Sequence, residues 1–275
     1  MLYLLFMAKR GLLRSIPRLS KRSKFVLSTV VLSIGMLIAF LSGPGFGHQA
    51  VGILAFFAAV FTLFSLWGDL PKRKQVIIVL LPGIFFTIAA GFFYFVLPGR
   101  WVTRFIMLTI FAFGFYATLL VQNIYTISVA RTIKLLQAAR TIGFLIAVAS
   151  AFSLYYILYS FHTYLPLVAL GIFALSFLLI ISVIWSVSLK DFVGRNELLH
   201  TCILSLVLTE IGTVLTFWPV SVTFAAIFLA GNFYTFVGLL QHWMENRLFK
   251  RVLWEFIWVA SVLFVILFFT AKWGG

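Results

Sequence analysis

The chain has 275 residues, of which 63% are hydrophobic and only 10% charged, against roughly 45–50% apolar and about 25% charged in a soluble globular domain. That shortage of polar surface excludes a water-soluble enzyme or binding domain and leaves an integral membrane protein, in which helices satisfy their own backbone groups. The formal net charge is +15, yet the Lys and Arg gather at the ends of apolar runs rather than on one face, so nucleic acid is not an expected partner and they read as orientation signals.

The chain opens with an apolar stretch, Leu2 to Met7, and then turns basic from Lys9 to Lys24, the reverse of a secretory signal peptide's order. Residues 1–24 are therefore expected to form a basic, interfacial amphipathic helix lying among anionic headgroups on the inner surface. Residues 25–275 are expected to form a single transmembrane domain.

Nine apolar runs have the length that a membrane crossing requires: 25–42, 49–67, 75–97, 104–130, 141–160, 165–189, 201–217, 221–240 and 252–271. The first two are joined by a glycine-rich segment, 43–47, which reads as a turn. In the third, Pro82 and Gly83 predict a kink, because proline supplies no N–H to the turn before it.

The fifth run places Gly143, Ala147 and Ala151 four apart, with Tyr155 and Tyr159 continuing the stripe; the eighth repeats the pattern with Ala226, Ala230 and Tyr234. Small residues at that spacing let another helix come close, so these two spans are expected at the centre of the bundle.

The tail carries Lys9, Arg10, Arg14, Arg18, Lys21, Arg22 and Lys24. Alternate connections continue the series with Lys72, Arg73 and Lys74, then Arg131, Lys134 and Arg140, then Lys190 and Arg195, then Arg247, Lys250 and Arg251. The opposite set holds only Arg100, Arg104 and Lys272. By the positive-inside rule the fold expected is an all-α polytopic bundle of about nine spans, N-terminus in and C-terminus out. Trp67, Trp185, Trp243 and Trp254 fall at the inner interface of this arrangement, and Trp101, Trp218 and Trp273 at the outer.

Two groups of polar residues stand out. Glu210 is the one carboxylate that falls near the middle of an expected span, where an acidic residue costs roughly 2.5–3.5 kcal/mol on the insertion scale quoted for Asp. It is expected to point inward, and the tight connection at Trp218 and Pro219 brings Asn232 to nearly its depth, with Thr213 one turn away. The functional reading is a proton- or cation-responsive site in a carrier; the structural one is interhelical hydrogen bonding. On the opposite side, Arg100 and Arg104 sit four apart, with His48 and His162 at neighbouring span ends. Together they could hold an anionic headgroup, or the arginines could simply snorkel.

Gln122 and Asn123 lie near the inner end of the fourth span and read as satisfying helix contacts or headgroups rather than selecting an ion. His200 and His242 share a depth but lack the acidic support and spacing of a metal site, and the lone Cys202 rules out an internal disulfide. No Walker A or GxSxG motif occurs. No catalytic residue, metal or cofactor is therefore expected. The function expected is a permease-like bundle that meets the bilayer and a small solute or anionic lipid. The alternatives are an assembly subunit with a membrane-protein partner, and an outer-leaflet flippase or membrane-embedded enzyme. Compact loops suggest a prokaryotic cytoplasmic membrane.

Overall fold

The computed structural model describes residues 20–68, 73–129, 134–161, 164–189 and 193–272. Among them are nine helices long and apolar enough to cross a membrane, and no strands. They are α1 (Lys21–Leu41), α2 (Gly43–Leu66), α3 (Arg73–Val96), α4 (Trp101–Ser128), α5 (Leu136–Ser160), α6 (Leu165–Ser188), α7 (Arg195–Phe217), α8 (Val222–Met244) and α9 (Lys250–Thr270). The expected interfacial helix over 1–24 falls mostly outside the described residues; Lys21 to Lys24 form the first turn of α1, capped by the Ser20 hydroxyl, which accepts from the Ser23 amide at 3.2 Å.

The segment 43–47 is a correction to the sequence reading. The reversal is confined to Ser42 and Gly43, whose φ of 77° favours glycine, and α2 has already begun at Gly43 because Pro44 suits a first helical turn. Gly47 is buried where a Cβ would stand 2.8 Å from the Ala39 carbonyl oxygen and 2.3 Å from the Phe95 ring. Backbone cannot yield as a side chain can, so Gly47→Ala is expected to cost about 1–3 kcal/mol of stability. A thermal melt of the detergent-solubilised protein should show it, and an unchanged melt would mean that α1 and α2 can part without penalty.

Helices α1 to α4 pack around one another, as do α5 to α8, and α3 and α4 meet α5 while α3 also meets α6. Two buried apolar clusters follow this grouping. Helix α5 touches α3, α4, α6 and α8, and α8 touches α5, α6, α7 and α9, which is the central placement their small residues predict. Gly143 admits Val121 and the Tyr125 hydroxyl of α4. Helix α9 rests on α8, where Gly231 and Gly238 give room for Leu263 and Phe256.

In hydrocarbon a hydroxyl must find a partner within the protein. Thr62, Thr87, Thr118, Thr201, Ser205 and Thr235 donate to carbonyls one turn back in their own helices. Others tie helices together: Ser28 to Ser65 at 2.9 Å, Tyr155 to Ser176 at 2.6 Å, and Tyr159 to the Gly212 carbonyl at 2.8 Å.

Candidate functional site: a cavity among α3, α4, α5 and α6

Where α3, α4, α5 and α6 converge, the packing leaves a cavity of about 30 Å3. Its polar lining is Thr118, Gln122 and Tyr125 from α4, Ser150 from α5, and Ser182 and Ser186 from α6; Pro82 of α3 also lines it. Helix α3 runs unbroken through Pro82. The rest of the wall is apolar.

Helical rise places Gln122 about 9 Å inside the α4 terminus at Ser128 and Ser150 about 21 Å beyond the start of α5. The cavity therefore extends inward from the end of the bundle that carries the basic connections. Gln122 is 4% exposed, and its amide makes no hydrogen bond with any described residue. A buried amide without a partner is costly, and Gln122 lines a space in which a guest or water can supply one. Ser150 is equally buried and likewise has no partner among the described residues.

A clamp lies beside Ser186, at the edge of the cavity. Arg140, near the start of α5, donates through Nε to the Ser186 carbonyl at 3.1 Å, through Nη2 to the Val187 carbonyl at 2.8 Å, and through Nη1 to Glu245 at 3.1 Å. Glu245 caps the end of α8 and also faces Arg247 at 3.9 Å. Tyr125 donates to the Ala139 carbonyl at 3.1 Å, one residue from Arg140. Three helices thus meet on one guanidinium, whose planar fork suits several acceptors at once.

The site expected around Glu210 is not assembled. Glu210 is exposed on α7, opposite the face formed by Thr201, Ser205, Leu208, Gly212 and Leu215, and its carboxylate has no partner among the described residues. The inward orientation is corrected for a geometric reason. Gly212 must face α5 and α6, since its missing side chain admits Ile172 and its carbonyl receives Tyr159; two residues away on a helix is about 200°, so Glu210 is turned outward. Thr213 donates to the backbone carbonyl of Glu210 at 2.9 Å, while buried Asn232 donates to Phe228 of its own helix at 2.8 Å.

At the opposite end, Arg104 donates to the Tyr94 hydroxyl at 2.8 Å and stands 5.0 Å from the Trp101 ring. Tyr94 stacks on Phe40 at 3.8 Å and meets Phe95, which lies 4.6 Å from the His48 ring. His48 in turn bonds the Pro44 carbonyl. Arg104 and His48 therefore belong to one aromatic cluster, Arg100 is exposed beside it, and His162 lies outside the described residues. No group of three or more His, Cys, Asp or Glu suited to a metal occurs among the described residues.

These features define an integral membrane protein with nine apolar helices among its described residues and a cavity between four of them. The chain belongs to the family described as "Protein of unknown function (DUF5656)", matched over residues 7–270. No curated protein and no solved structure matches it.

Proposed function

We propose that this protein is a permease-like carrier whose solute binds in the cavity among α3, α4, α5 and α6, with the N-terminus and the basic connections in the cytoplasm. The observation that carries the reading is Gln122, a buried amide without a described partner, facing a space lined by hydroxyls. In this reading the solute meets Gln122 rather than Glu210 and Asn232. Arg140 and Glu245 close its cytoplasmic side, and Arg100 and Arg104 anchor α4 among outer headgroups.

Gln122→Leu tests this. The substitution keeps volume and breaks no hydrogen bond, so the melting temperature should hold or rise, while flux of the carried solute through proteoliposomes should fall to background. The screen should include neutral, cationic and anionic small solutes. Flux indifferent to Gln122→Leu for every solute that crosses, or no flux at all, overturns the carrier reading.

A second reading, an assembly subunit, is favoured by Glu210. A carboxylate on the outer face of α7, within a row of exposed Leu199, Ile203, Leu206, Val214 and Phe217, is a natural contact for a partner helix that supplies a hydrogen-bond donor.

A further inference from the structure

We infer that the molecule held in this cavity is a small, uncharged hydrogen-bond donor, of about the bulk of urea. This inference rests on the carrier reading and adds the chemical class of the permeant.

Most of the protons on the lining hydroxyls are already committed. A hydroxyl has one proton to donate and two lone pairs to accept with. Thr118 donates to the Gly114 carbonyl at 2.8 Å, Ser182 to Leu178 at 3.0 Å, Ser186 to Val183 at 2.6 Å and Tyr125 to Ala139 at 3.1 Å. These four lining hydroxyls have therefore committed their protons within the protein, Tyr125 and Ser186 also being hydrogen-bonded to each other, and what they offer the cavity is lone pairs. Free N–H or O–H remains on Gln122 and Ser150 alone. The wall is mainly apolar, and its few polar atoms are more often acceptors than donors, so a guest that satisfies them must bring N–H or O–H groups of its own.

Charge narrows the class. No carboxylate, Lys, Arg or His lines the cavity, and an ion moved there without a counter-charge would lose its hydration uncompensated. The nearest charge is Arg140, bonded to the backbone of the lining residue Ser186 at 3.1 Å. It opposes a cation. Three of its five N–H groups are engaged with Ser186, Glu245 and Val187, and the Glu245 carboxylate at 3.1 Å offsets its charge, so it compensates an anion little.

Size sets the last bound. A volume of about 30 Å3 has room for roughly two or three waters at about 10–15 Å3 each. A planar molecule of about four heavy atoms carrying N–H donors replaces those waters and their hydrogen bonds.

Urea is the probe for this class, with potassium and formate as charged probes of similar bulk. Each is followed in proteoliposomes of the full chain, urea by light scattering after an osmotic step and the ions by electrode. Urea is expected to cross at least tenfold faster than through protein-free vesicles, to fall to that background in Gln122→Leu, and to slow several-fold in Ser150→Ala. Potassium and formate should stay at background throughout. A Gln122-dependent flux of potassium or formate, with urea at background, overturns the uncharged-donor class and leaves the carrier reading standing. Gln122-independent movement of every solute overturns the carrier reading itself. Melting temperatures of both variants equal to that of the parent tie the losses to the cavity; if Gln122→Leu does not fold, Ser150→Ala alone must slow urea, and no slowing overturns the inference.

Discussion

Arg140→Ala is expected to lower the stability of the purified protein by about 3–5 kcal/mol, the usual cost of breaking a buried ion pair from one side. Arg140 is 15% exposed and Glu245 7%, so water can replace little of what the pair provides. The substitution strands three acceptors together: the Ser186 and Val187 carbonyls in the last turn of α6, and one oxygen of Glu245 at the end of α8. Carbonyls in a last helical turn have no amide ahead of them to accept from, which is why an arginine from another helix is valuable there. Arg247 remains 3.9 Å from the second Glu245 oxygen but is itself 57% exposed, so it replaces little of the loss.

The companion variants separate charge from geometry. Arg140→Lys keeps the charge, but a single ammonium on a flexible stem does not span acceptors on two helices, so it should recover only part of the stability. The order parent, Arg140→Lys, Arg140→Ala in a thermal melt is the expected result. An Arg140→Ala protein within about 1 kcal/mol of the parent would show instead that the pair behaves as an exposed one. Because Ser186 both lines the cavity and receives Arg140 through its carbonyl, the same variant should also raise leakage of the carried solute from the basic end.

The nine helices were legible because length and apolarity are local properties, and each connection carries its own boundary signal in Lys, Arg, Gly or Pro. The small-residue stripes of α5 and α8 were legible for the same reason. The cavity was not. Thr118, Gln122, Ser150 and Ser182 sit on three helices, and only the convergence of α3, α4, α5 and α6 brings them together. A glutamine six residues from a helix end looks in sequence like any interfacial amide. Arg140 was counted as an orientation signal, and its partner Glu245 is more than a hundred residues away. Sequence could assign it a side of the membrane but not a role. The glycines 43–47 misled in another way, since a cluster that usually marks a loop here serves one reversal at Gly43 and one close approach at Gly47.

Glu210→Leu is the substitution for which sequence and structure forecast opposite signs. An inward carboxylate bonded to Asn232 would make the change costly, because a buried amide would lose its partner. In the structure Asn232 already donates to Phe228 and Glu210 is exposed, 180° or so from the packed face of α7. On that face leucine replaces a group that costs roughly 2.5–3.5 kcal/mol to place in hydrocarbon on the scale given for Asp. The isolated chain is therefore expected to insert more efficiently and melt at the same temperature or higher, with flux unchanged. A lower melting temperature for the isolated chain would put Glu210 back inside the bundle. Loss of a copurifying membrane protein, without any change in the chain's own melt, would show what Glu210 is for. A carboxylate kept at that depth is otherwise a standing cost, and the hydrogen bond that offsets it would then come from the partner's helix.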